Sequence, residues 1–279
     1  MTHPRALLRR YDLRPRKRLG QHFLLDRGAA ARIAHLAVCA AGEPQPLIVE
    51  IGAGTGTLTA ALLAAGARVT ALEIDADLVA LLRDDETLRD ARIVHADALA
   101  FDYAAVAEGK HWSLAGNLPY NIATPLVMHL VEMEGGPQVM TIMVQRDVAD
   151  RMTAEPGTAA YGSLSVAIAD AMEARRVLTL GPHAFYPRPG VDSAVIQLVR
   201  RARPAVEVRD RSVFRRVVRA AFAYRRKTVG NALMLALGLP RERVMQALAT
   251  SGIEGEIRAE RLDLHAFARL ADALAPDLV

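Results

Sequence analysis

The sequence predicts an α/β protein in two parts: a mostly parallel sheet with helices on both faces and an antiparallel hairpin at one edge, then a small all-helical domain. Three observations carry this reading. Strand-like and helix-like segments alternate from residue 47 to residue 144. A glycine-rich turn, Gly52-Ala53-Gly54-Thr55-Gly56, joins the first apolar run of that series to the helical pattern behind it. From about Ser212 onward only helical patterns remain.

Taken in order, residues 1–20 are basic and without periodicity, so they read as irregular. Residues 27–40 form a helical pattern with Asp26 placed to cap it. Residues 47–51 are a short apolar run bounded by the glycine turn, as expected of a buried strand, and residues 57–65 follow as helix. Residues 68–73 are the next strand and 76–83 the next helix. A third strand is expected over 91–95, a fourth over 112–115, a helix over 122–132 and a fifth strand over 139–144. After residue 160 the rhythm changes: 163–170 reads as helix, and 175–180 and 193–199 read as strands flanking a proline-rich loop. Joined by that loop, they predict the edge hairpin. Helical patterns at 212–223, 227–237, 241–251 and 264–274 are punctuated by Gly238-Leu239-Pro240 and Gly252. The composition turns at Arg203-Pro204, which gives a basic segment 1–25, a sheet domain 26–204 and a helical domain 205–279.

An apolar content of 52% in 279 residues is ample for a core and excludes global disorder. The single cysteine, Cys39, cannot close an internal disulfide, so a reducing compartment fits, and it reads as a small helix hydrophobe. The basic N-terminus has no apolar segment after it, Arg68, Glu73, Asp75 and Asp77 interrupt the apolar stretches around residues 58–82, and no apolar run is long enough to span a bilayer. A cytoplasmic protein without membrane attachment is therefore expected. Eight histidines are scattered without ligand spacing, so no metal site is expected. Net charge is only +4, but residues 1–25 carry +6, residues 26–204 carry −6 and residues 205–279 carry +4. Basic ends on an acidic middle suggest a polyanionic partner, with solvated faces as the plainer alternative.

The segment Val49 to Gly56 is a strand, a glycine turn and a helix start. Glycines let backbone approach a ligand, and the helix N-terminus presents free N–H groups. Glu73 stands twenty-one residues beyond Gly52, where a carboxylate can accept both hydroxyls of a ribose. Dinucleotide enzymes require G-x-G-x-x-G, and the last position here is Thr57. The G-x-G-x-G form is similar to that of S-adenosylmethionine-dependent methyltransferases, with another nucleotide ligand or a plain structural turn left as alternatives. Asp97 follows the third strand. It can accept from an adenine amino group, or it can serve a local turn.

Asn117-Leu118-Pro119-Tyr120 falls directly after the fourth strand. An exocyclic adenine nitrogen is a poor nucleophile because its lone pair is delocalised into the ring. The Asn117 oxygen and the Leu118 carbonyl could hold the amino group so that the lone pair is localised toward a methyl donor. Pro119 fixes the backbone and adds no N–H, and Tyr120 offers a face on which a base can stack. The alternative is a proline-containing turn with Asn as helix cap. Position after the fourth strand, where such sheets bind ligands, favours the chemical reading.

With these residues in hand, the chain resembles the ribosomal RNA adenine N6,N6-dimethyltransferases over nearly its whole length, and within them the bacterial small-subunit branch. Gln21-His22-Phe23-Leu24-Leu25-Asp26 is similar to the family's G-Q-N-F-L segment, with His22 where Asn is usual. Phe185-Tyr186-Pro187-Arg188-Pro189-Gly190-Val191-Asp192-Ser193 is similar to its F-x-P-x-P-x-V-x-S loop, and Arg225-Arg226-Lys227-Thr228 to its R-R-K-T helix start. The resemblance implies a Rossmann-like class I methyltransferase sheet. It also implies an S-adenosylmethionine pocket lined by Gln21, His22, Leu24, Gly52, Gly54, Glu73, Asp97 and Asn117, and Phe185 as a second aromatic face opposite Tyr120. Arg225, Arg226 and Lys227, with Arg16, Lys17 and Arg18 of the N-terminal segment, are expected to meet RNA phosphates. The implied substrate is a pair of adjacent adenines in the 3′-terminal hairpin loop of small-subunit rRNA, in an assembling 30S particle, met by a monomeric enzyme. Three rivals remain: a large-subunit rRNA adenine methyltransferase of the antibiotic-resistance type, a non-catalytic RNA-binding assembly factor, and a dehydrogenase, which the missing glycine disfavours.

Overall fold

A computed structural model describes residues 4–107, 109 and 111–278. In chain order the elements are α1 (Pro4–Arg10), β1 (Phe23–Leu24), α2 (Arg27–Ala41), β2 (Leu47–Ile51), α3 (Thr57–Ala64), β3 (Arg68–Glu73), α4 (Ala76–Asp84), β4 (Arg92–His95) and α5 (Tyr103–Ala107). They continue as β5 (Ser113–Asn117), α6 (Ala123–Glu132), β6 (Val139–Gln145), α7 (Arg146–Met152), α8 (Ser163–Ala171), β7 (Met172–Leu180), β8 (Phe185–Tyr186) and β9 (Ser193–Arg200). Four helices end the chain: α9 (Arg211–Phe222), α10 (Val229–Leu237), α11 (Arg241–Thr250) and α12 (Leu264–Leu278).

Seven strands form one sheet in the order β4-β3-β2-β5-β6-β9-β7. The pairs β4/β3, β3/β2, β2/β5 and β5/β6 are parallel, and β6/β9 is antiparallel. The chain runs outward from β2 through β3 to β4, then returns to the other side of β2 for β5 and β6. The order therefore reverses between β2 and β5, and a crevice opens beyond their carboxyl ends. At that switch the two strands approach closely: a Cβ on Gly116 would lie 2.6 Å from the Ile51 carbonyl oxygen, so only glycine fits. The central strands β2, β5 and β6 are buried on both faces, in line with the apolar runs of β2 and β6, whereas β4 and β7 at the two edges are partly exposed. Trp112, the one tryptophan of the chain, is 3% exposed; its ring stacks on Tyr103 with centroids 5.2 Å apart, and its Nε1 donates to the Gly135 carbonyl at 2.9 Å.

The chain divides into two compact units, Met1–Ala149 with Ala174–Arg200, and Asp150–Glu173 with Arg201–Val279. This corrects the expected division at 204 in two places. Residues 1–25 belong with the sheet unit because α1 buries Leu7 and Leu8 in its core, where irregular chain was expected. Residues 150–173 belong with the helical unit because Asp170 accepts from Val206 N at 3.3 Å and from Arg211 Nη1 at 2.6 Å, and Tyr161 packs edge-on against Phe222. The helical unit has its own core, in which Phe214, Val217, Leu233, Phe267 and Leu270 are buried. Two of its helices are capped by side chains, with Asp210 accepting from Val213 N and Thr228 from Asn231 N.

The expected edge hairpin is present: β7 and β9 lie side by side at one edge of the sheet, with β9 antiparallel to β6 and β7 outermost. The proline-rich loop holds a further strand, β8, that pairs antiparallel with β1 through Phe23 opposite Tyr186 and Leu24 opposite Phe185. Two-residue strands carry too little periodicity to be read from sequence.

Candidate active site

The crevice at the β2/β5 switch is a cleft of about 280 Å³. It gathers Gln21, His22, Leu24, Gly52, Gly54, Glu73, Asp97, Asn117, Leu118, Pro119 and Tyr120, all expected from the sequence. Phe185 is absent from its lining.

The glycine turn is held by Gly52 N and Ala53 N donating to the Leu72 carbonyl at 2.9 and 3.2 Å. Gly54 has φ +57, and a Cβ there would stand 3.0 Å from the Phe23 ring, so the turn needs glycine for both conformation and space. Glu73, 6% exposed, fastens the turn to the end of β3: its Oε2 accepts from Gly54 N at 2.8 Å, and its Oε1 accepts from Ile74 N and Asp75 N, each at 3.0 Å. Burial raises its pKa, against those backbone hydrogen bonds. With three of about four acceptor positions taken, Glu73 has room for one strong further bond rather than the two expected of it. Asp97 is exposed, and its Oδ1 accepts from Leu99 N at 2.9 Å, an Asx turn that leaves the carboxylate at the cleft edge. Exposed Ile74 and Leu99 add apolar surface to the cleft wall.

Sequence reasoning missed Glu50. It is 1% exposed, lines the cleft, and its Oε2 has no hydrogen-bond partner among the described residues. Burial pushes its carboxyl up to about 8; nearby Glu73 adds to the rise, and the Thr59 hydroxyl, short of hydrogen-bond geometry, opposes it only in part. An orphaned carboxyl oxygen beside a second carboxylate suits a cationic ligand. Its signal in the sequence was an acidic residue inside the apolar run Leu47–Ile51.

Asn117 ends β5, and its Nδ2 donates to the His22 carbonyl at 2.6 Å. A carbonyl only accepts, so the amide must present its nitrogen there and keep its oxygen for another partner. Leu118 N donates to Met143 O at 3.0 Å, and Pro119 O receives Ile122 N and Ala123 N, each at 3.1 Å, to start α6. Tyr120 is half-buried, its hydroxyl 3.3 Å from Ser193 Oγ, and burial raises its pKa, so the phenol stays neutral.

Three expectations need correction. Phe185 is 0% exposed: its pairing in β8 turns the ring into the sheet unit's core, so it is a core residue in this conformation. The aromatic ring that faces Tyr120 is His22, stacked at 5.0 Å and 28°. Gln21 reaches the cleft, but its amide is committed, with Oε1 accepting from Arg16 N at 2.7 Å and Nε2 donating to Asp75 Oδ2 at 2.9 Å. Arg16, expected at RNA, instead pairs with Asp75 and Asp77 at the start of α4. Lys17 and Arg18 are exposed. Arg225, Arg226 and Lys227 are exposed in the turn after α9, in the helical unit, with Arg225 Nη2 donating to the Ala159 carbonyl at 3.3 Å.

The family model for ribosomal RNA adenine dimethylase matches residues 13–276. A Magnetococcus marinus protein named ribosomal RNA small subunit methyltransferase A is 44% identical over 275 residues, covering 98% of this chain and 96% of its own. A protein of the same name from Myxococcus xanthus is 40% identical, covering 99% of this chain and 96% of its own. Among solved structures, the 23S rRNA methyltransferase ErmE is 29% identical with a TM-score of 0.66, covering 91% of this chain and 99% of its own. A dimethyladenosine transferase from Plasmodium falciparum, 22% identical with a TM-score of 0.70 and covering 89% of this chain and 96% of its own, shares the fold.

Proposed function

The chain belongs to the ribosomal RNA adenine dimethylase family, and we propose from that premise that it dimethylates N6 of two adjacent adenines in the 3′-terminal hairpin loop of small-subunit rRNA, within an assembling 30S particle. It is an S-adenosylmethionine-dependent rRNA adenine dimethyltransferase with the Rossmann-like sheet of that class. S-adenosylmethionine, when bound, supplies a methyl group on a cationic sulfur.

The residues of the cleft suit that cofactor. Glu50 and Glu73 offer buried carboxyl oxygens to a ligand that carries an ammonium and a sulfonium, and the Gly52–Gly54 turn allows close backbone approach. Asp97 offers an acceptor at the edge, beside the apolar Leu99 and Ile74.

One observation carries the assignment of chemistry: the Asn117 amide is tied through its nitrogen to His22, so what it can give a substrate is its oxygen. An acceptor there, with the Leu118 carbonyl next to it, holds an exocyclic amino group by its hydrogens and directs its lone pair outward. Tyr120 supplies the stacking face. The amine loses its proton after it gains the methyl group, so no general base is needed before attack, and positioning carries the rate. A loop base is already partly unstacked and is cheap to extrude. The helical unit, with Arg225, Arg226 and Lys227, serves as the rRNA-holding part, and the enzyme acts as a cytoplasmic monomer.

The test is transfer of labelled methyl groups to undermethylated small subunits, with the modified bases mapped. Label on two adjacent small-subunit adenines is the expected result. Label on protein-free large-subunit rRNA instead would move the protein to the antibiotic-resistance branch.

A further inference from the structure

His22 stands where the sequence suggested a cofactor contact, yet its hydrogen bonds and ring contact run to Asn117, Tyr120 and Pro187. Its main-chain carbonyl takes the Asn117 Nδ2 at 2.6 Å. Its ring lies on Tyr120, centroids 5.0 Å apart and planes at 28°. Its Nδ1 is 2.7 Å from the Pro187 carbonyl oxygen, which can only accept, so Nδ1 carries the hydrogen. Tyr120 in turn reaches Ser193 Oγ at 3.3 Å. Residues 187–193 therefore form a loop whose first residue is held by His22 and whose last is held by Tyr120, with the two rings in contact between them. Next to the last residue of this loop, the Asp192 carbonyl also receives Arg146 N at 3.0 Å.

We infer that His22 is a positioning residue for methyl transfer: it backs Tyr120, tethers the 187–193 loop and orients Asn117, and so sets the acceptor amide, the stacking ring and the loop in one register, without binding the cofactor through its side chain. The inference rests on the reading of Asn117 and Tyr120 as the groups that hold the base. With one face of Tyr120 covered by His22, the target base stacks on the other. The side chain separates into two functions that substitution can isolate. His22→Phe keeps a ring on Tyr120 and loses the Nδ1 donor. His22→Asn keeps a donor for the Pro187 carbonyl and loses the ring. His22→Ala loses both, and all three keep the main-chain carbonyl that orients Asn117.

The experiment measures kcat and KM for methylation of immature small subunits, with S-adenosylmethionine dissociation constants from titration calorimetry and melting temperatures for each variant. Misplacement of reacting groups lowers the rate steeply, so kcat of His22→Ala is expected to fall by about tenfold to a hundredfold. His22→Phe and His22→Asn each recover part of that loss, while cofactor affinity stays within about threefold in all three. Cofactor affinity that falls in step with kcat would overturn the inference by making His22 a cofactor ligand. An unchanged kcat in His22→Ala, or equal losses in all three variants, would overturn it too. Asn117→Ala run in parallel separates the two levels: full activity there would sink the reading of the site itself.

Discussion

Glu50 and Asn117 put opposite demands on their surroundings. Glu50 is a carboxyl held away from water, so the folded ligand-free chain binds its proton more tightly than the unfolded chain does. Stability from this group is fully present below the ordinary carboxylate range and is lost as pH rises through about 8. Glu50→Gln keeps the size and removes the titration. Its melting temperature is expected to fall less than that of the parent between about pH 5 and about pH 8, and its affinity for cationic S-adenosylmethionine to weaken. Calorimetric scans across that range check the first; an unaltered slope would clear Glu50 of it. Asn117 works through a neutral dipole fixed by one hydrogen bond. Asn117→Ala should lower kcat by about a hundredfold or more, as loss of an oriented hydrogen-bonding group does, and leave cofactor affinity within a few fold. The sequence made Asn117 legible because the residue follows a strand end. Glu50 was hidden because a single acid in an apolar run looks like an edge position until its burial is seen.

At the scale of elements, the long periodic segments were legible and the short ones were not. The strand Leu47–Ile51 and the helix capped by Asp26 follow from apolar period and capping chemistry that act within a few residues. The pairing of β1 with β8 joins positions more than a hundred and sixty residues apart, and no local pattern announces it. That pairing decides where Phe185 goes. Fully buried, it should behave as a core aromatic: Phe185→Ala is expected to cost about 3–5 kcal/mol of stability, read from the midpoint of denaturant unfolding. A loss below about 1 kcal/mol would mean the ring is not held in the core. The N-terminal segment teaches the same lesson through charge. Arg16 sits in a basic run that suggests phosphate contacts, but the two carboxylates of Asp75 and Asp77 at the start of α4 claim it first.

For the whole molecule, the basic ends and acidic middle map onto an arrangement in which the N-terminal basic segment is built into the sheet unit and the C-terminal excess lies in the helical one. A phosphate contact releases counterions, so neutralising Arg225, Arg226 and Lys227 together should weaken binding to immature small subunits and reduce the slope of log affinity against log salt by about two to three. Binding measured at several salt concentrations tests this, and an unchanged slope would remove the three from the interface. The fold class and the number of units were readable from composition and alternation. The exact partition was not, because Asp170 anchors α8 to Arg211 across forty residues of intervening chain.

Trp112 is the only indole in the chain, and it is buried in the sheet unit against Tyr103. Its fluorescence is consequently a private reporter on that unit. Unfolding followed by tryptophan emission passes over the helical unit, whose loss registers in far-ultraviolet circular dichroism. Two optical signals from the unmodified protein thus tell whether the halves melt together or in turn.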